Sequence, residues 1–202
     1  MAGPLHVKVP SDEVLKVDAS GLSRSGAHAS DQIPEAFRPF DDLRVVANDL
    51  RNDDAFTATM IVRNEMYFLP ALLSHYRALG VERFVVLDDK SDDGTREFLA
   101  DQDDCVILAS DRRFGEPVVV DHPLARGGKT RVLDMWTNIL RHRFARDRWS
   151  LHIDADEFIR LPEEMRFQDL IARLETSDAS FVWAVMIDLY PPKMEDLKVS
   201  RG

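Results

Sequence analysis

From about residue 43 onward, apolar residues alternate between two rhythms; before that point they follow none. The run 56–62, FTATMIV, is apolar and β-rich, the pattern of a buried strand. It leads into three polar residues, Arg63, Asn64 and Glu65. Over 67–79 the pattern changes: Phe68, Leu69, Leu72, Leu73, Tyr76 and Leu79 recur at three- and four-residue spacing, which predicts a helix. Pro70 falls in its first turn and Gly80 suits the residue after its end. The run 83–87, RFVVL, predicts a strand ending in Asp88 and Asp89. Ser91, Asp92, Asp93, Gly94 and Thr95 then form a turn capping a short helix over 96–100.

Cys105–Ala109 predicts the next strand, and 118–120 a short one. Arg126, Gly127, Gly128 and Lys129 open a helix expected to run to about Phe144. In 149–158, WSLHIDADEF, the residues Trp149, Leu151 and Ile153 alternate with Ser150 and His152, the period of a strand. That strand ends in Asp154, Ala155, Asp156 and Glu157. A helix over 167–174 and a strand over 181–187 follow. Alternating strands and helices predict an α/β fold with a parallel-rich, Rossmann-like sheet and helices on both faces. The pattern divides the chain into a polar N-terminal extension, 1–42, and one domain, 43–202.

Composition narrows the function. The 202 residues carry a net charge of −10, with 45% hydrophobic and 31% charged positions. An acidic chain is a poor partner for a nucleic-acid backbone. Cys105 is the only cysteine, so no internal disulfide forms, and a reducing, cytoplasmic setting is expected. No apolar run is long enough to span a bilayer; peripheral contact with a membrane stays open.

In open α/β sheets ligands bind beyond the carboxyl ends of the strands. The clusters Arg63–Glu65, Asp88–Asp89 and Asp154–Asp156 all follow directly on predicted strands. Asp154 and Asp156, separated by one small residue, can converge on a hard cation such as Mg²⁺ or Mn²⁺. Glu157 fits a third ligand, a supporting group or a helix start equally well. The segment from Asp89 resembles the opening of a calcium loop, but Ala100 stands where that loop needs Glu. Asp92 and Asp93 therefore read as turn residues. An acid at 88 or 89 can accept a hydrogen bond from a nucleobase N–H or a ribose hydroxyl, as in dinucleotide folds. The Arg126–Lys129 stretch places two cations at a helix start, which suits phosphate, although the P-loop spacing is absent. Trp136, Ile139 and Cys105 read as core, and the histidines 75, 142 and 152 as structural or exposed.

Taken in order, RNE after a strand, DDKSDDGT, GGKTRVLDMWTNIL and WSLHIDADEF resemble the family 2 type glycosyltransferases, in the bacterial branch with a W-x-L-x-x-D-x-D-E-F block. The resemblance covers about 56–190. It implies a GT-A fold and transfer of a sugar from a nucleotide-diphosphate donor to an acceptor (glycan, lipid or protein) with Mn²⁺ or Mg²⁺. By that resemblance Asp89 contacts the base, Asp154 and Asp156 hold the cation, Lys129 reaches the diphosphate, and Arg63 and Glu65 edge the donor pocket. The family's catalytic base lies downstream of the D-x-D block, and this chain stops soon after Tyr190-Pro191-Pro192. The acceptor half is therefore expected to be incomplete, with the base unassigned; Asp188 alone is an acid at a predicted strand end. Two other readings compete. One is a non-catalytic nucleotide-sugar-binding module. The other is a HAD-like phosphatase, which wants Thr or Val where this chain has Phe158.

Overall fold

A computed structural model describes residues 7–8, 35–48, 55–119, 129–145, 148–162, 164–177 and 187. Two pieces precede the main body: a two-residue strand β1 (Val7–Lys8) and a 3₁₀ helix (Glu35–Phe40). Strands β2 (Arg44–Ala47) and β3 (Thr57–Val62) follow, then helix α1 (Leu69–Ala78). Pro70 stands in the first turn of α1, and Gly80 has φ +97° just beyond its end, a conformation that glycine adopts without strain. Next come β4 (Arg83–Asp88), the short α2 (Thr95–Ala100) and β5 (Cys105–Ala109). Two short strands, β6 (Pro117–Val119) and β7 (Lys129–Arg131), form an antiparallel pair. Helix α3 (Val132–Phe144), strand β8 (Ser150–His152) and helix α4 (Phe167–Glu175) complete the described chain.

The helix expected from Arg126 onward is corrected. Lys129–Arg131 is a strand paired with Pro117–Val119, and the helix starts at Val132. Arg126, Gly127, Gly128 and, apart from Ile187, the strand expected over 181–187 lie outside the described residues.

The main sheet has six strands in the order β1-β8-β3-β4-β5-β2. Its centre, β8-β3-β4-β5, is parallel, and the two edge strands pair antiparallel. The fold is therefore α/β with a mixed, mostly parallel sheet, compatible with a Rossmann-like arrangement. Alternation along each strand divides the core in two. Ala58, Met60, Phe84, Val86, Ile107 and Leu151 face α1, α2 and α4 through Leu72, Tyr76, Leu99 and Phe167. Val85, Leu87, Val106 and Leu108 face α3 through Val132, Trp136, Ile139 and Leu140. Phe37 and Phe40 of the 3₁₀ helix pack on the same cluster, so part of the polar stretch 1–42 is built into that face.

Helix α3 runs opposite to the strands: its last carbonyl, Phe144 O, accepts a 2.8 Å hydrogen bond from Arg83 at the start of β4. Its N-terminus, with β7 before it, therefore lies at the carboxyl edge of the sheet. The ring of His152 fastens the outer parallel strand, with Nδ1 2.9 Å from Thr59 Oγ1 on β3 and Nε2 3.4 Å from Thr137 Oγ1 on α3.

Candidate functional site

Four parallel strands end at one edge, and the first or second residue beyond each carries charge: Arg63 directly after β3, Asp89 directly after β4, Asp154 beyond Ile153 after β8 and Asp111 beyond Ser110 after β5. The chain between them is tightly fixed. Asn64 takes the left-handed conformation, φ 58°, which asparagine tolerates better than most residues. Its amide nitrogen donates to Asp92 Oδ1 at 2.7 Å, and its amide oxygen accepts from the Asp92 N–H at 2.9 Å. The N–H groups of Asn64, Glu65 and Met66 donate to Ser91 Oγ, Thr95 Oγ1 and Asp93 Oδ2. Asp93 also accepts from the Thr95 N–H, and Gly94 at φ +92° makes the turn. The DDKSDDGT segment is thus a brace for the turn after β3, and Asp92 and Asp93 are its turn residues.

Asp88 and Asp89 separate. Asp88 faces α2, fully buried, and pairs with Arg96, whose Nε donates at 2.7 Å. It holds the fold together. Asp89 continues the β3–β4 ladder through its N–H, which donates to Val62 O at 2.8 Å, so its side chain falls on the α3 face. It is 2% exposed, and neither carboxylate oxygen has a hydrogen-bond partner among the described residues. Arg63 Nη1 is 3.9 Å from Oδ2, beyond hydrogen-bond length. Burial pushes the Asp89 carboxyl up, against the pull of the Phe114 backbone, Arg113, Arg63 and Lys90. Lys90, at φ 60°, donates from Nζ to Asp111 O at 2.7 Å. A buried carboxylate with two bare oxygens is a costly arrangement that a ligand with donors relieves.

At the other end stand the acids. Asp154 and Asp156 are exposed, with Ala155 buried between them. Burial raises the Glu65 carboxyl, and the charges of Asp156, Asp93 and Asp154 raise it further. The edge where β3 and β8 end therefore carries negative potential built from carboxylate oxygens, the chemistry that suits Mg²⁺ or Mn²⁺. Among the described residues, no three His, Cys, Asp or Glu side chains form a group that could hold a metal ion by themselves.

The loop after 156 is anchored by α1, a role hidden in the sequence. Tyr76 Oη donates to Glu157 O at 2.8 Å and accepts from the Ile159 N–H at 3.2 Å. His75 Nε2 lies 2.8 Å from Ile159 O. Tyr76 reads as core in the helical stripe, and it is core; the signal for its second role is that a buried tyrosine hydroxyl needs a partner. Arg113, beside Asp89, was equally hidden. The N-terminus of α3 is not open to phosphate: the N–H groups of Val132 and Leu133 donate to Glu116 O and Phe114 O, and the Arg131 N–H to Asp134. Lys129 lies in β7 at the carboxyl edge of the sheet, as α3's direction requires. Cys105 is buried and its thiol is pushed up to about 12, first by burial, so it is inert.

The structure thus brings Arg63 to Asp89 and sets Glu65 in the field of Asp154 and Asp156, with the turn at Asn64 dividing the two groups. Among the described residues no helix is long and apolar enough to cross a membrane. Comparison with known protein families, with characterised proteins and with solved structures gives no match.

Proposed function

We propose that this chain binds a nucleoside-diphosphate sugar across the carboxyl edge of the sheet and transfers its sugar to an acceptor hydroxyl, in the manner of a GT-A glycosyltransferase. The observation that carries this reading is Asp89, a buried carboxylate whose two oxygens lack hydrogen bonds at the place where open α/β sheets bind nucleotides. Asp89 receives the nucleoside. Arg63 flanks it at the half-exposed rim. Asp154 and Asp156 would hold Mg²⁺ or Mn²⁺, leaving its other positions to diphosphate oxygens. Such an ion, when bound, supplies charge stabilisation to the departing diphosphate. Lys129, whose strand β7 lies at the same edge, is assigned to that end of the donor by the resemblance; its side chain lies outside the described residues. Glu65 stands on the acidic side of the turn, its carboxyl raised first by burial and further by Asp156, Asp93 and Asp154.

Calorimetry with nucleoside diphosphates, with and without Mn²⁺, tests the assignment. Asp154→Asn and Asp156→Asn each lower the Mn²⁺-dependent affinity at least about tenfold, since even outer partners of a metal site are worth that much. Both side chains are exposed, so the melting temperature stays as in the parent chain. Unchanged affinity in both variants removes the metal site. Consumption of a nucleotide-sugar with transfer to an acceptor identifies a transferase. Binding without transfer identifies a donor-binding module, and phosphate release from simple esters identifies a phosphatase.

A further inference from the structure

The end of β4 holds two kinds of buried polar atom without a hydrogen-bond partner: both carboxylate oxygens of Asp89, and Nη1 of Arg113. They come from different elements, Asp89 from the β3–β4 ladder and Arg113 from the loop after β5. The Phe114 backbone and the charges of Arg113 and Arg63 draw on Asp89, with Arg63 Nη1 3.9 Å from Oδ2. Lys90 is engaged with Asp111 O. What remains is two acceptors side by side, drawn on by the Phe114 backbone N–H without a hydrogen bond of normal geometry, and one buried donor, Arg113 Nη1, whose charge bears on them; none has a hydrogen-bond partner among the described residues. Such groups are unfavourable until a ligand supplies the complementary set.

A planar ligand that satisfies them presents two adjacent N–H donors and one neighbouring acceptor. Guanine has this edge: N1–H and the N2 amino group lie side by side, with O6 next to N1. Uracil and thymine present a single N–H between two carbonyl oxygens, which leaves one carboxylate oxygen without a donor. Adenine and cytosine turn a ring-nitrogen lone pair toward the carboxylate. Building on the nucleotide-sugar reading above, we infer that the pocket at the end of β4 selects guanine, so that the donor is a guanosine-diphosphate sugar. Asp89 accepts from N1–H and the N2 amino group, and Arg113 donates to O6. The Asp89 side chain is fully covered, and the half-exposed Arg63 beside it is the group that swings out to admit the base.

The test is calorimetry on the full chain without divalent cation, using the diphosphates of guanosine, inosine, uridine and adenosine. Inosine diphosphate keeps O6 and N1–H and lacks the N2 amino group. The guanosine form binds tighter than the inosine and uridine forms by roughly 10- to 100-fold, the value of one hydrogen bond to a charged group. Asp89→Asn erases the difference between guanosine and inosine. Arg113→Gln weakens those two equally. Uridine diphosphate matching the guanosine form, or inosine matching guanosine, overturns guanine selection and leaves the nucleotide-sugar reading standing. Failure of every diphosphate to bind, with and without Mn²⁺, overturns both. The comparison of guanosine with inosine needs no variant, and melting by circular dichroism verifies that the two variants fold.

Discussion

Adjacent carboxylates at 88 and 89 meet opposite fates because a strand sends successive side chains to opposite faces. Asp88 finds Arg96 on α2; Asp89 is buried with neither oxygen hydrogen-bonded among the described residues, although the Phe114 backbone, Arg113 and Arg63 pull on it. Their sequence is a doublet of identical residues, so it places acid at the strand end without telling the structural member from the candidate binding member. That distinction depends on α2, whose Arg96 lies 8 residues after Asp88, and on the loop after β5, farther along the chain. A bare buried charge destabilises the protein that carries it, and a neutral isostere relieves the strain. Asp89→Asn is therefore expected to raise stability at pH 7 by about 1 kcal/mol while weakening nucleotide binding, with urea denaturation as the measurement. The pH dependence has a definite sign. The folded-state value of Asp89 lies above its unfolded value, so ionisation penalises the folded state. The penalty is full above the folded value and vanishes below the ordinary carboxylate range, near about 4. The advantage of Asp89→Asn should shrink as pH falls through that window; an advantage that grows there contradicts the assignment.

Elements with a strong local rhythm match the sequence closely. The stripe of α1, with Pro70 at its start and Gly80 beyond its end, gives that helix within about two residues, and Cys105–Ala109 is a strand as its composition predicts. The start of α3 is the element that local pattern misplaces. Lys129–Arg131 is polar and short, and becomes a strand through pairing with Pro117–Val119, a partner that no local periodicity reveals. The same holds for the anchoring of the Asp154–Asp156 loop, which comes from α1, about 80 residues earlier. Tyr76→Phe keeps the ring in the core and removes both bonds to the loop. It is expected to cost about 1–3 kcal/mol, because the buried backbone groups it serves lose their partner. It should also weaken Mn²⁺-dependent nucleotide binding while leaving metal-free binding unchanged. Equal loss of both kinds of binding would show that α1 supports the whole edge and not this loop alone.

At the scale of the molecule, the alternation of strands and helices gives the α/β class, and the rule of strand ends points to the edge where the candidate site is proposed. The strand order does not follow from that alternation. Thr57 meets Arg83 of β4 at a sequence separation of 26, whereas Thr59 meets His152 of β8 at a separation of 93. This order has a kinetic consequence. Closing the longer loop costs about 1 kcal/mol more chain entropy than closing the shorter one, and contacts of high sequence separation form late. The β3–β4–β5 unit, with its Asn64–Asp92 brace and Asp89, can assemble from neighbouring segments before β8 arrives. During refolding, pulse-labelled hydrogen exchange should protect the amides of Val85 and Ile107 before that of Ile153, which donates to Thr59 O. Simultaneous protection would mean that the sheet closes in one step. In the sequential case the chain passes through a state that holds the Asp89 end of the candidate site and lacks the Asp154–Asp156 end. Nucleoside added early would then accelerate folding, while Mn²⁺ would act only after β8 has docked.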